Sequence, residues 1–195
     1  MSPAIADARR ESILRAAMTL ISERGTTAFT VGDVAKATGF SRPAVYQYFR
    51  SREDILGELL VNDMADLSNE IDRLVATENE PMEQIRVWVH YALAHLASPE
   101  HRVVREISAA ELDERHRGEL RAMHGYLMTS LISPLRQLGA ADPAALVHMV
   151  FAAVGSASDR ISEGASFVTE AATLERFVIS GIEAITVHGR SMGEA

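Results

Sequence analysis

The sequence of 195 residues predicts an all-α protein of about nine helices. Apolar residues recur at intervals of three and four along most of the chain, which is the spacing of one face of an α-helix. Few segments alternate between apolar and polar residues for long enough to form a strand. Residues that favour helix ends stand where helices of this spacing should begin and stop.

The composition is that of a folded globular protein and excludes several classes. Hydrophobic residues make up 47% of the chain and charged residues 24%. There is no cysteine, so disulfide frameworks, cysteine-based zinc sites and thiol nucleophiles are excluded. No apolar run approaches the ~18 residues of a membrane span, and the N-terminus lacks the apolar core of a signal peptide. We therefore expect a soluble, cytoplasmic protein.

The first two helices have clear end signals. The first is predicted from about Asp7 to Arg24, with a glycine where a C-cap belongs. Thr30 has the chemistry of an N-cap for a short helix over 31–38, and Asp33 stands where it completes a capping box. The turn after this helix begins at Gly39.

The third helix is predicted over residues 42–48, capped by Ser41 and with Pro43 in its first turn. Ser51 then caps a long fourth helix whose first turn is acidic. The remaining helices are predicted over 51–76, 81–97, a short segment from 98, 109–138 with a kink at Pro134, 142–162 and 169–188. We divide the chain into a domain of residues 1–52 and a larger helical domain of residues 53–195.

Two short helices joined by a glycine-centred turn are the arrangement of a helix-turn-helix, whose second helix enters the DNA major groove. Five apolar residues can close a small core with the first helix: Val34, Ala35, Phe40, Val45 and Phe49. That packing leaves another set largely outside the core: Arg42, Ala44, Tyr46, Gln47 and Tyr48. The alternative, a merely structural three-helix unit, explains the apolar positions but not this exposed set.

The exposed set has the chemistry of a DNA reader. Arg42 can donate two hydrogen bonds to a guanine, and Ala44 or Pro43 can contact a thymine methyl group. The tyrosine hydroxyls can reach phosphates. The charge is also uneven: residues 1–56 hold eight basic and six acidic residues, whereas the remainder holds 11 basic and 21 acidic ones. A basic head on an acidic body suits a polyanion contact at one end, although chance asymmetry explains a swing of this size equally well.

Several elements within residues 8–60 occur together and in a fixed order. They are the helix Ile13–Gly25, Phe-Thr-Val-x-Asp-Val-Ala at 29–35, Gly-Phe-Ser at 39–41, Val-Tyr-x-Tyr-Phe at 45–49 and Ser-Arg-Glu-Asp-Ile-Leu at 51–56. In these elements the chain strongly resembles the TetR family of bacterial regulators.

The resemblance implies roles for individual residues. It implies phosphate contacts by Thr30, Tyr46, Tyr48 and Arg52, and base-edge contacts by Arg42, Pro43, Ala44 and Tyr46. The family commonly has lysine at the position of Arg52 and often histidine at that of Tyr48, and both replacements keep a hydrogen-bond donor. Gly32 stands where some members have a residue that reaches a base. We therefore expect the third helix to carry most of the recognition.

The last two helices are predicted to form the dimer interface. Helix 142–162 is apolar on nearly every side, so more than one of its faces must be buried. Helix 169–188 has a broad apolar stripe in which Gly181 permits close approach. Together they resemble the four-helix bundle through which the family dimerises. The alternative is the ordinary core of a monomer.

A small-molecule site is predicted between helices 81–97 and 109–138, where the family places its effector. One face of the first helix combines aromatic surface with polar tips, and the facing helix is rich in methionine. The predicted lining residues are Gln84, Trp88, Tyr91, His95, Met123, His124 and Leu127. The alternative is that these residues simply fill the core. A site of this composition favours a hydrophobic or aromatic effector.

Neither metal nor enzyme chemistry is indicated. Seven histidines are present, but no His-x3-His or His-Glu-x-x-His spacing occurs, and no cofactor is expected. No nucleophile elbow, P-loop or dinucleotide fingerprint occurs either. The sequence thus predicts a homodimeric, ligand-responsive repressor of a palindromic operator. The alternatives are an effector-independent repressor or activator with the same head, or a small-molecule-binding protein or enzyme on this scaffold. An architectural DNA protein would need a more basic surface.

Overall fold

A computed structural model describes residues 3–191 of the chain, and the side chains of residues 4–108 and 110–186. Within these ranges the chain is helical and has no strand, which confirms the predicted all-α fold. None of the described helices is both long and apolar enough to cross a membrane. The helices are α1 (Pro3–Arg24), α2 (Val31–Thr38), α3 (Arg42–Tyr46), α4 (Arg52–Val75), α5 (Pro81–Leu96), α6 (Pro99–Arg105), α7 (Glu114–Thr129), α8 (Ile132–Gln137), α9 (Pro143–Ser162) and α10 (Phe167–Ser191).

The helix-end signals predicted from the sequence are present in the structure. The predicted capping box is present at α2, where Thr30 and Asp33 bond each other's backbone N–H groups. Gly25 and Gly39 follow α1 and α2 with φ angles of 79° and 72°, a left-handed region that disfavours other residues. Helix α3 ends at Tyr46, two residues earlier than predicted, because the N–H of Tyr48 bonds the carbonyl of Val45 in a tighter turn.

The prediction of a single helix over residues 109–138 is wrong, because the structure divides this segment. A 3-10 turn at Ala109–Glu111 precedes α7, and a break at residues 130–131 separates α7 from α8. Pro134 explains the break, since its ring would clash with the carbonyl of Ser130, four residues earlier, in a continuous helix. The interruption therefore precedes the proline instead of forming a kink at it.

The chain divides into two compact units. The first contains residues up to Met64 together with Pro99–Arg121, and the second contains Ala65–Ser98 together with the residues from Ala122 onward. Helix α4 therefore contributes residues to both units. The predicted boundary between residues 52 and 53 falls in the first turn of α4, inside the first unit.

The first unit has a core beneath its helix-turn-helix. Val34, Ala35, Val45 and Phe49 are buried as predicted, and Phe40 packs partly buried against them. Residues of α1, α4 and α6 complete this core, among them Ile13, Leu56 and Val104. Burial of each large apolar side chain contributes about 1.5–3 kcal/mol, so the orientation of α3 is fixed by packing.

The second unit is built on contacts of α5 with α8, α9 and α10, and of α9 with α10. Its most buried large side chains include Ile85, Trp88 and Leu93 of α5 and Leu127 of α7. Ser158 of α9 donates a hydrogen bond of 3.0 Å to the carbonyl of Leu96, which ties α9 to the end of α5.

Candidate functional site

Helix α3 is attached to the first unit through one face only. Val45 is inaccessible to solvent and Phe49 is nearly so, which fixes the opposite face outward. On that outward face Arg42, Pro43, Tyr46 and Gln47 are exposed, whereas Ala44 and Tyr48 are half-buried. The tyrosines therefore differ: Tyr46 is 53% exposed, while Tyr48 packs partly against the core.

A concave surface of about 480 Å³ lies between the first turn of α2, helix α3 and the start of α4. Three arginines and one glutamate, Glu53, line it. We call it the cationic hollow and define it by Thr30, Gly32, Arg42, Tyr46, Arg50 and Arg52. It brings together four of the eight residues predicted to contact DNA. The guanidinium groups of Arg42 and Arg50 make no ion pair or hydrogen bond with the described residues, so their charge is available to a polyanion.

Arg50 was not among the predicted contact residues. It follows the buried Phe49 in the connection between α3 and α4, and its backbone N–H donates a 2.8 Å hydrogen bond to Asp54. That bond fixes the backbone at a point where the side chain is exposed and borders the hollow. A basic residue in the short connection between the third and fourth helices was the sequence signal that could have identified it.

Arg52 also lines the hollow, but its guanidinium is already engaged. It donates hydrogen bonds to the carbonyl of Thr26 and, at 2.9 Å, to Glu111, and it lies 5.2 Å from the ring centre of Phe29. Its Nε is buried and without a hydrogen-bond partner. Arg52 thus braces the first unit internally, and the predicted phosphate contact would have to share or replace these bonds.

Thr30 stands at the edge of the hollow as the N-cap of α2. Its hydroxyl donates a hydrogen bond of 2.6 Å to Asp33, whose carboxylate also accepts the backbone N–H of Thr30 at 2.9 Å. These two bonds hold the pKa of Asp33 below its ordinary value of 3.8, with smaller contributions from the charges of Arg24 and Lys36. Asp33 is consequently an anion at neutral pH and fixes the start of α2 beside the hollow.

A buried histidine connects α7 to the first turn of α4 within the same unit. His116 is inaccessible to solvent, and its Nδ1 lies 2.8 Å from the carboxylate of Asp113. On the other side of the ring, the carboxylate of Asp54 lies 3.7 Å from Nε2. Arg115 forms an ion pair with Asp54 and is also within hydrogen-bond distance of Nε2 of His116. Three of these groups have the chemistry of cation ligands, with their donor atoms within 4.8 Å of one another. The guanidinium of Arg115 already supplies a positive charge there.

The second unit carries an exposed apolar groove of about 100 Å³ between α9 and α10. Met149 and Phe177 on its two sides are 64% and 68% exposed, and Ile185 is 47% exposed. A Cβ added at Gly181 in the groove would meet no atom within 4 Å, so the close approach that this glycine permits is not used within the chain. Away from the groove, α9 is buried in the unit through Val147 and Val154. Helix α9 therefore has one satisfied apolar face and one unsatisfied.

Part of the predicted effector site is brought together inside the second unit. Trp88 is inaccessible, donates a 2.8 Å hydrogen bond from Nε1 to Ser130, and lies 6.2 Å from the ring of Phe151. His124 meets the same ring edge-on at 4.6 Å. Leu127 is buried, while Met123 is half-buried. Phe151 of α9 was not predicted, because nothing in its own helix distinguishes it from neighbouring core residues.

The other predicted lining residues are Gln84, Tyr91 and His95 of α5. Gln84 donates a 2.8 Å hydrogen bond to the carbonyl of Glu78 and so closes the turn before α5. Tyr91 and His95 have their ring centres 6.4 Å apart and are half-buried. Burial raises the pKa of Tyr91, and the negative charges of Glu70 and Asp66 raise it further. Their role in ligand binding stays a prediction.

Part of the chain matches a known protein family. Residues 13–59 match the model of the family described as bacterial regulatory proteins, tetR family. The HTH-type transcriptional regulator HbdR of Aromatoleum sp. is 32% identical over 93 residues, which are 47% of this chain and only 41% of HbdR. The nucleoid occlusion factor SlmA of Vibrio cholerae is 30% identical over 133 residues, 66% of this chain and 67% of SlmA.

The fold is shared over most of the chain with a solved structure. The transcriptional regulator FadR of Bacillus subtilis, in complex with stearoyl-CoA, superposes with a TM-score of 0.73 at 19% identity. The superposition covers 88% of this chain and 98% of FadR. The likeness therefore extends well beyond the helix-turn-helix, into the helices that carry the apolar groove and the aromatic group.

Proposed function

The chain belongs to the TetR family of bacterial regulatory proteins, and from that membership we propose that it is a homodimeric transcriptional repressor. It binds a palindromic operator and is released from it by a hydrophobic small molecule. The observation that carries this proposal is the cationic hollow, where two unpaired arginines and an exposed tyrosine stand on and beside α3. The regulators HbdR and FadR support the same function by similarity.

The DNA contact follows from the chemistry of the hollow. Arg42 has the two parallel donors that read a guanine, while Arg50 and the hydroxyl of Tyr46 can bind phosphates on either side. The net charge of −8 confines attraction for a polyanion to this part of the surface. The protein therefore binds DNA through a small, defined patch, which favours sequence-specific over general binding.

The dimer follows from the apolar groove. In the dimer, the groove of one protomer packs against the same groove of its partner, because a two-fold axis makes the interface self-complementary. Burial of Met149, Phe177 and Ile185 on both protomers removes six large exposed apolar side chains from water. Dimerisation also places two α3 helices for half-sites one turn of DNA apart, ~34–36 Å.

Release by an effector takes place through the second unit. The aromatic group of Trp88, His124 and Phe151 combines apolar rings with one imidazole, and once the unit rearranges to expose them this composition suits an apolar ligand with few polar groups. Binding there displaces α4, the helix that contributes residues to both units. To empty an operator that is nearly fully occupied, the effector has to favour the released state by ~5.5 kcal/mol. FadR, crystallised with stearoyl-CoA, adds long-chain acyl-CoA to the candidate ligands.

A second candidate function is DNA binding without a small-molecule effector. SlmA, a nucleoid occlusion factor, aligns with 66% of this chain, compared with 47% for HbdR. The complete burial of Trp88 favours the same alternative, because no ring face of Trp88 is open to a ligand until the unit rearranges.

In vitro selection from a random duplex pool tests the DNA contact. We expect a palindrome to be enriched, and combined substitution of Arg42→Ala and Tyr46→Ala to lower its affinity by about 100-fold, since each base contact contributes about 1–3 kcal/mol. Arg15→Ala is the control, because Arg15 is exposed on α1 and paired with Glu11 outside the hollow. A folded dimer that enriches no sequence at low salt would contradict the proposal.

The fluorescence of Trp88 separates the two candidate functions, because it is the one tryptophan of the chain. Aromatic acids and long-chain acyl-CoAs are titrated into the protein bound to the selected operator. Release of DNA accompanied by a change in tryptophan emission supports effector-controlled repression. DNA binding that persists, with unchanged emission, across both ligand classes supports the effector-independent candidate.

A further inference from the structure

Gly32 is the second residue of α2, and the backbone does not require a glycine there. Its φ angle is not in the left-handed region, unlike those of Gly25, Gly39, Gly139 and Gly164. Alanine is the better helix former at an ordinary helical position. The absence of a side chain at Gly32 therefore needs a reason other than local conformation.

The space above Gly32 is occupied by Arg42. A Cβ added to Gly32 would lie 2.7 Å from Nε and 2.8 Å from Cζ of Arg42, which is too close for non-bonded atoms. The nearest atoms are all in the guanidinium group, so this planar group rests directly on the backbone of α2. Any side chain at position 32 would push it away.

No other interaction of Arg42 competes with this contact. Its side chain is exposed and makes no ion pair or hydrogen bond with the described residues. Other arginines at the border of this unit are held by partners, as Arg10 is by Glu58 and Arg52 is by Glu111. The position of Arg42 therefore depends on the shape of α2 beneath it.

We propose that Gly32 is a specificity-determining residue, whose missing side chain lets the Arg42 guanidinium lie against α2 and present both donors to one guanine in each half-site. This inference rests on the proposed function. It assigns a role in recognition to a residue that has no functional group of its own. The recognition surface is then a pair of residues from two helices, and the base preference belongs to the pair.

The proposal predicts that a single substitution raises the stability of the protein and lowers its base specificity. Gly32→Ala should raise the melting temperature, because alanine favours the helix and the displaced side chain is exposed and flexible. The same substitution should weaken the choice of base at one position of the half-site. A glycine with a purely structural role would show the first effect without the second.

The experiment measures the affinity of full-length variants for the selected operator and for its single-base-pair variants. Wild type should prefer guanine at one position by about 10-fold or more. Arg42→Ala should abolish that preference, whereas Arg42→Lys should weaken it, because an ammonium group on a flexible stem lacks the fixed planar fork of a guanidinium. Gly32→Ala should reduce the preference to about 3-fold or less at the same position. The double variant Gly32→Ala with Arg42→Ala should behave as Arg42→Ala alone.

Gly125→Ala is the matched control, since Gly125 is a helical glycine of α7 whose added Cβ would meet no atom within 4 Å. It should raise stability and leave every base preference unchanged. If Gly32→Ala keeps the full preference of wild type, or loses it at a position that Arg42→Ala does not affect, the inference is overturned while the proposed function stands. If wild type itself prefers no sequence, both are overturned.

Discussion

The cationic hollow and the apolar groove are two exposed surfaces that depart from ordinary surface chemistry in opposite ways. The hollow presents the guanidinium groups of Arg42 and Arg50, which lack partners among the described residues, beside a helix held by a well-packed core. The groove presents large apolar side chains, on helices whose other faces are already buried. The two surfaces therefore suit partners of different chemistry: anions for the hollow and apolar surface for the groove.

This difference determines how each surface should respond to substitution. Contacts in the hollow are separate hydrogen bonds and ion pairs, so their loss should reduce DNA affinity in steps. The groove works by excluding water from a continuous patch, so a single charge within it should affect the whole interface. Three predictions test this contrast, in order of decreasing effect.

The largest effect is expected from Phe177→Glu in the groove. In a symmetric dimer this places two carboxylates in an apolar interface without partners, which should raise the dimer dissociation constant by about 100-fold or more. Sedimentation equilibrium measures the change. Val168→Glu on α10 is the control, since Val168 is 76% exposed and does not line the groove. A Phe177→Glu protein that remains dimeric would mean that the protein dimerises through another face.

A smaller and graded effect is expected from Arg50→Ala in the hollow. Loss of one phosphate contact should lower affinity for all DNA sequences by roughly the same factor, about 3- to 10-fold. The slope of log affinity against log salt should decrease by about 1 for each protomer. Titrations at several salt concentrations measure both quantities. Arg136→Ala is the control, because Arg136 is an exposed arginine of α8 outside the hollow. A changed base preference with an unchanged slope would contradict the assigned role.

The smallest effect is expected from Thr30→Ala, which removes the cap of α2. At neutral pH the free energy of unfolding should fall by about 1 kcal/mol. Because the Thr30 hydroxyl and N–H lower the pKa of Asp33, the anionic form stabilises the fold above pH 3.8, and this stabilisation is lost as the pH falls through the lowered value. The difference between wild type and variant should therefore shrink below pH 3.8.

Chemical denaturation across this pH range measures the effect of Thr30→Ala. The control is Thr27→Ala, an exposed threonine in the turn before α2 that caps no helix. A difference that stays constant down to pH 2 would show that the hydrogen bonds to Asp33 do not stabilise α2.

Local chemistry was enough to predict most of the helices and the exposed face of α3. The Thr30–Asp33 box, the glycines after α1 and α2 and the apolar spacing around Val45 act over a few residues, so they can be read without knowing the fold. The exposed apolar face of α9 and α10 was also predicted, because a helix that is apolar all round cannot bury every face within one chain.

Other features depend on residues far apart in sequence, and only the tertiary structure decided them. The family resemblance implied that Arg52 contacts a phosphate. In the structure its guanidinium binds Glu111, which is 59 residues away in sequence. The complete burial of Trp88 depends on Ser130, which lies between α7 and α8, and on Phe151 of α9. The contact of Arg42 with Gly32 likewise arises from the packing of α2 against α3. Periodicity tells which side of a helix is buried, but the identity of the partner is set when helices pack together.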